Sequence, residues 1–296
     1  MNPQTKGAVA VARAKNGTDN LILAATFVGF FFLTSGYFIV TALMAEEMRG
    51  ASILEGVFGV LGALIGGGFV FAMILLFGMF WVRMQRQMVL GNSLQVEYSD
   101  YAWLRDWANH VAADLAMPRV EMFVTQDPVM NASAFGFARP YCIVLNSGSI
   151  RYLTQDELKA IVVHEMAHIK YGHTTALVYL QPFLSMPFVS IFTGWIAGFW
   201  NRRTELTSDR LALMYLEDGE LVKNALVKIH VGPDVAQAMN QTARDWLRHN
   251  AERPMNRFAQ TFSSHPFLVR RLAHIDRYAA QLTPPTPPAS APLVEQ

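Results

Sequence analysis

Two long stretches break an otherwise mixed pattern of apolar and polar positions. Leu21–Ala45 and Val57–Val82 contain no Asp, Glu, Lys or Arg. Each run of about 25 residues makes a helix of about 38 Å, longer than the hydrocarbon core of a bilayer at about 30 Å. The pattern therefore predicts a transmembrane helical hairpin over 21–82, preceded by a polar segment 1–20. The first run is too long for the apolar core of a secretory signal and a second run follows it, so it reads as a retained anchor. Gly66, Gly67 and Gly68 in the second run allow close helix packing or mark a flexible point.

Beyond the hairpin the periodicity is that of a folded domain over 83–281. Val96–Met117 repeats as a helix. Val120–Thr125 and Cys142–Asn146 are short apolar segments between turn residues, as strands are. Helical patterns recur over 155–173, 202–217, 220–230, 234–247 and 266–281. The segment 282–296 holds Pro284, Pro285, Pro287, Pro288 and Pro292. It cannot form a helix and has little to bury, so it reads as a disordered tail.

Composition agrees with a membrane-anchored chain. Of 296 residues, 52% are hydrophobic and 16% charged, against about 25% charged in soluble proteins. The net charge of +1 gives no electrostatic case for nucleic acid. The single cysteine, Cys142, excludes an internal disulfide and a multi-cysteine metal site, and its apolar strand-like setting suits a small buried side chain. Lys6, Arg13, Lys15, Arg83 and Arg86 flank the outer ends of the hairpin, whereas its loop carries Glu46, Glu47 and Glu55 against Arg49. By the positive-inside rule, the N-terminus and everything after Val82 face the cytoplasm.

The candidate chemistry lies in His164-Glu165-Met166-Ala167-His168. Histidines four apart share one helical face and can reach one metal ion. Glu165, next to the first of them, can take a proton from a water that the metal acidifies. The helix has its own start signal in Thr154 and Glu157, a T-x-x-E capping box, and Gly172 suits its end. A third ligand is available downstream: Glu205 can complete a His2Glu set with one position left for water. Asp209, one turn on, is placed to hold a ligand histidine. Read alone, the Glu205–Asp209 pair is equally a solvated helix face.

Together these stretches resemble the HtpX-like membrane zinc metalloendopeptidases, whose relatives include the CAAX prenyl endoproteases. The matching segments are Asn131-Ala132-Ser133-Ala134-Phe135-Gly136, then Asp156-Glu157-Leu158 leading into His164–His173, then Glu205–Asp209, then Ser264-His265-Pro266. The resemblance covers about 125–281, and the N-terminal hairpin also fits. It implies a mainly α membrane protein: the hairpin plus a gluzincin-type α+β metallopeptidase domain with a small sheet beside the metal helix. It implies one Zn2+ held by His164, His168 and Glu205, with Glu165 as general base and acid and Asp209 behind the ligands. It implies that Asn131, Ala132 and Ser133 align substrate. His265 falls near the catalytic centre, where it would stabilise an oxyanion; it is equally a structural histidine at a helix start. His173 is too far along the helix to be an obvious ligand and has a structural role.

One departure carries a geometric consequence. HtpX-type chains often place two full spans between the metal helix and the Glu helix. Here the charge-free stretch Thr174–Trp200 has only 27 residues. Because His168 and Glu205 must meet at one ion, the stretch has to turn back, and it is too short to cross the bilayer twice as helix. Pro182 and Pro187 predict the bend. A kinked hairpin over 174–200 follows, dipping into the membrane, packed on the anchors or buried in the domain.

The expected function is peptide-bond hydrolysis by a membrane-anchored zinc enzyme at the cytoplasmic face of a bacterial inner membrane. Its substrates would be proteins or peptides, by resemblance misfolded membrane proteins, and its surroundings the lipid bilayer. The alternative is a non-proteolytic metal-binding scaffold or regulator, which the presence of Glu165 disfavours. A transporter is disfavoured by two spans free of intramembrane charge.

Overall fold

The computed structural model describes residues 6–50, 52–185, 187–261, 263 and 265–282. The proline-rich segment 283–296 and Ser264 of the Ser-His-Pro motif lie outside them. The described chain is mostly helical with one small mixed sheet.

The polar N-terminal stretch, in which periodicity predicts no element, forms α1 (Lys6–Ala14). Two long helices follow, α2 (Asp19–Arg49) and α3 (Ile53–Gly91). Ser52 and Glu55 close a capping box at the start of α3, satisfying backbone N–H groups that would otherwise lack acceptors. Both helices are long and apolar enough to cross a membrane. Phe32, Phe58, Phe69, Phe77, Phe80 and Trp81 all point outward from them, an apolar surface that water would penalise and lipid would not. Of the three adjacent glycines, Gly67 makes the close approach: a Cβ there would stand 2.7 Å from the Cα of Ser35 on α2, while Gly66 has open space.

Helix α3 continues nine residues past Val82, the end of the charge-free run. This extension buries Arg86, which donates to the Pro140 carbonyl at 2.7 Å and lies 2.9 Å from Cys142 Sγ. Cys142 is fully buried, and burial raises its thiol pKa. The sheet contains β1 (Ser93–Gln95), then, after a 3-10 turn and α4 (Ala102–Asp114), β2 (Val120–Thr125), β3 (Ala132–Phe135) and β4 (Tyr141–Asn146). The spatial order is β1-β2-β4-β3, with β2 and β4 parallel and the outer pairs antiparallel. Strand β3 is thus an edge strand.

A short α5 (Ser147–Tyr152) leads into α6 (Gln155–Lys170). Here the capping box predicted at Thr154 and Glu157 is formed. Gly172 takes φ +74° and ends the turn, a conformation that costs glycine little. The chain restarts as α7 (His173–Leu184) and α8 (Pro187–Leu216). Helix α7 ends at Leu184 and α8 begins at Pro187, while Pro182 stays inside α7. Its ring fills the space that Gly78 of α3 leaves, where a Cβ would come within 1.8 Å of Pro182 Cγ. Phe183 stacks on Phe30 at 4.7 Å and on Phe71 at 5.0 Å. So α7 packs on both long apolar helices.

The helix expected over 202–217 is the second half of α8. The pattern over 234–247 divides into α10 (Pro233–Ala238) and α11 (Gln241–Glu252), following α9 (Gly219–Val231). Asn240 caps α11 by accepting from Ala243 N–H at 2.9 Å. Its competing side-chain acceptor interrupts a helix that apolar spacing alone would continue. Then come α12 (Pro254–Gln260) and α13 (Leu268–Ala279).

The main core gathers around α6, whose Val162, Val163, Met166 and Ala167 are fully buried against α4, α8, α9 and the sheet. Helix α1 joins this core through Ala10 and Ala14. A Cβ on Gly7 would lie 2.2 Å from the Asp114 carbonyl oxygen, so α1 sits directly on the end of α4. Behind it, buried Asp19 accepts from Arg203 Nε at 2.7 Å and from Thr207 Oγ1 at 3.0 Å.

Candidate active site

Helices α6 and α8 cross with His164, His168 and Glu205 facing one another. The His164 and His168 Nε2 atoms are 3.2 Å apart. Glu205 Oε2 is 3.5 Å from the first and Oε1 is 3.5 Å from the second. Tetrahedral ligands about 2.0–2.1 Å from a zinc ion stand about 3.3–3.5 Å from one another, so this donor set fits the ion with little movement. All three side chains are buried and offer a ligand atom to a common point. They are the only such group of histidine, cysteine and acidic side chains among the described residues.

The nitrogens turned away from that point also have neighbours. His164 Nδ1 is 3.0 Å from Asp209 Oδ1, and His168 Nδ1 is 3.3 Å from His173 Nδ1. Asp209 is thereby brought behind the site. His173, assigned a structural role from the sequence, touches His168 as well. The turn at Gly172 carries it back toward α6.

Arg271 is the residue that sequence reasoning missed. It is buried on α13 and grips Asp209 with Nε at 2.8 Å and Nη2 at 2.6 Å. Its Nη1 is 3.2 Å from Glu205 Oε2. The signal was present. In α13, Arg271 lies three residues after Leu268 and four before Ile275, a charge on the apolar stripe of an amphipathic helix.

These charges set the protonation of the metal-free site. Burial opposes charge on His164, but Asp209 and Glu205 outweigh it and lift the imidazole to about 10. Burial lowers His168 to about 4 and His173 to about 3. Burial would raise both carboxylates, yet Arg271, with the histidines, holds Glu205 well below its usual range and Asp209 at about 2. Glu165 has less compensation. Burial pushes it up to about 7, where a carboxyl group can both accept and return a proton at neutral pH.

A cleft of about 600 Å³ opens over these groups, lined by Asn131, Ala132, Ser133 and Ala134 along one wall and by His265 on the other. The free edge of β3 forms that first wall. Asn131 precedes the strand, its carbonyl accepting from Asn146 N–H at 3.0 Å and Ser149 Oγ at 2.8 Å. The His265 side chain is 60% exposed, with Nε2 3.9 Å from Glu205 Oε1. It stands at the rim.

The chain is similar to several known proteins. A family model described as Peptidase family M48 matches residues 99–198 and 187–279. Plastoglobule-localized metallopeptidase 48, chloroplastic, of Arabidopsis thaliana is 30% identical over 213 residues, 65% of this chain and 61% of that protein. The Protease HtpX homolog of Persephonella marina is 28% identical over 125 residues, 40% of this chain and 43% of that protein. Among solved structures, the crystal structure of S. mikatae Ste24p matches with a TM-score of 0.50 at 16% identity, covering 87% of this chain and 65% of that one. The matched part is less than two thirds of the length of each of these proteins.

Proposed function

Because the chain belongs to peptidase family M48, we infer that it is a membrane-anchored metalloendopeptidase that uses one zinc ion. The observation that carries this reading is the convergence of His164, His168 and Glu205 beside Glu165, at the foot of a cleft walled by a free strand edge. A zinc ion held by these three residues supplies Lewis-acid chemistry, polarising a carbonyl oxygen and acidifying water.

The chain's own groups do the rest. An extended substrate adds to the edge of β3 through backbone hydrogen bonds, which lays its scissile bond across the cleft beside Asn131, Ala132 and Ser133. Glu165 takes a proton from the attacking water and passes it to the leaving amine. Asp209 and His173 hold the ligand imidazoles in orientation. Arg271 keeps Glu205 and Asp209 ionised. His265, at the rim, is positioned to donate to an oxygen that gains charge in the transition state.

In this reading the polar segment 1–20 and the domain 83–281 lie on the cytoplasmic side, with the hairpin 21–82 in a bacterial inner membrane. Support comes from the charge distribution around the hairpin and from the docking of α1 on the same domain that carries the site. Misfolded membrane proteins are the proposed substrates. That extension rests on the motif resemblance and on the contact of α7, which borders the cleft, with both apolar helices.

The test is cleavage of unfolded casein by purified zinc-loaded protein in detergent, with Glu165→Gln in parallel. Wild-type cleavage with none by the variant supports the reading. Equal cleavage by both removes Glu165 from the mechanism.

A further inference from the structure

Beyond the cleft lies a second cavity of about 180 Å³. Its walls are the end of β3 and the residues after it, Phe135 to Ala138, with Leu177 and Val178 of α7 and Val82 of α3. The lining is predominantly carbon and the space admits one large side chain. The two cavities are adjacent, since Ala134, Thr174 and Leu177 line both. Gly136, in the wall of the second cavity, packs closely on the shared Thr174: a Cβ there would meet Thr174 Oγ1 at 2.3 Å. That hydroxyl is buried and has no hydrogen-bond partner among the described residues.

The position of this cavity relative to the chemistry follows from the strand. The backbone N–H of Ala134 faces Glu165. The wall of the second cavity starts at Ala134 itself and continues through Phe135 to Ala138. At about 3.3 Å per residue, an extended chain on β3 brings a side chain into the cavity one to three residues from the bond beside Glu165. Strand addition is more stable in the antiparallel sense. A chain running opposite to β3 passes Ala138 first and Ala132 last, so the residues that enter the cavity precede the scissile bond.

The far wall decides the chemistry of the occupant. Val82 ends the charge-free run of α3, and Arg83 and Arg86 follow it. Arg86 donates to the Pro140 carbonyl; Arg83 and Gln181 make up the rest of the polar lining, and the other residues of the wall are apolar. The cavity therefore lies where the second apolar helix leaves its charge-free segment.

We propose that this cavity is a specificity pocket for a bulky apolar side chain one to three residues on the N-terminal side of the scissile bond. It selects segments in which an apolar stretch ends shortly before the cut, as it does where a membrane segment emerges from the bilayer. The pocket rests on the peptidase reading above.

The experiment uses full-length zinc-loaded protein in detergent and a peptide series. Single positions on either side of one cleavable bond are set in turn to Leu, Phe, Ala or Asp, and cleavage is followed by mass spectrometry. One pocket contact discriminates by roughly 10–200-fold. Leu or Phe at one position N-terminal to the bond should raise kcat/KM by at least about tenfold over Ala. Ala138→Trp and Val82→Trp, which fill the cavity from two different elements, should each bring that ratio toward one. In the Glu165→Gln protein the same peptides should bind in the same order of affinity, measured by fluorescence anisotropy.

Cleavage with a flat profile, a preference only on the C-terminal side, or a preference that survives both fillings overturns the pocket and leaves the peptidase standing. Absence of cleavage from every peptide, with no ordered binding to the Glu165→Gln protein, removes both.

Discussion

Replacing Arg271 by Met tests the electrostatic logic of the site. The guanidinium lies between two buried carboxylates, 2.6 Å from Asp209 and 3.2 Å from Glu205. Methionine keeps much of the volume and removes the charge and the fork. Asp209 and Glu205 then face each other's field with the His164 imidazolium as their remaining close counter-charge. Removing one partner of a buried pair costs about 3–5 kcal/mol, because the desolvated charge left behind has no compensation. For a folded unit of 150–250 residues, 1 kcal/mol moves the midpoint by about 2–4 °C. The metal-free variant should therefore unfold about 6–20 °C below wild type, read by intrinsic tryptophan fluorescence in detergent. Zinc carries two positive charges to the same carboxylates, so saturating zinc should recover a large part of the loss. Arg271→Lys should recover less than half, since an ammonium cannot span both carboxylates as the planar fork does. Equal midpoints for variant and wild type without metal, or a loss unchanged by zinc, would refute the account.

Further expectations follow from the same geometry. Asp209→Asn and His173→Ala each remove a neighbour of a ligand imidazole and should weaken zinc binding by about 10–100-fold, measured by competition with a chromophoric chelator. His164 must lose its proton to bind metal, and its pKa in the metal-free chain is about 10. Apparent zinc affinity should thus rise about tenfold per pH unit from pH 7 toward 10; calorimetry in buffers of different ionisation enthalpy should detect about one proton released per ion. The sign is opposite for stability without metal. A histidine raised from 6.5 to about 10 stabilises the fold fully below pH 6.5, and that contribution is lost as pH rises through 10. Gly7→Leu cannot be accommodated against the Asp114 carbonyl. It should expose α1 to limited proteolysis at Arg13 and Lys15 while leaving the far-UV helical signal nearly unchanged.

Much of the molecule was legible because its determinants are local. The two apolar helices are visible as charge-free runs. The start of α6 is visible as Thr154 and Glu157, and its candidate metal face as two histidines four residues apart. These features depend on spacing within one helix, and helical geometry is the same in any context. The break between α10 and α11 is also local, written in the Asn240 cap, although the apolar spacing continues across it. Strand β1 is three residues long and owes its conformation to pairing with β2, so periodicity could not find it.

What the sequence determined by itself is the list of chemical groups and the helices that carry them: His164, Glu165 and His168 on one face, and Glu205 and Asp209 on another. Only the tertiary structure decided which groups meet. The crossing of α6 and α8 places Glu205 at 3.5 Å from both imidazoles, and α13 returns from 62 residues downstream to put Arg271 against Asp209. Packing of α7 on the apolar helices sets Leu177 and Val178 beside the cavity at β3. Docking of α1 turned a polar leader into part of the core. Such contacts join residues far apart in the chain, and their energies come from burial and charge compensation that exist only once the elements have packed.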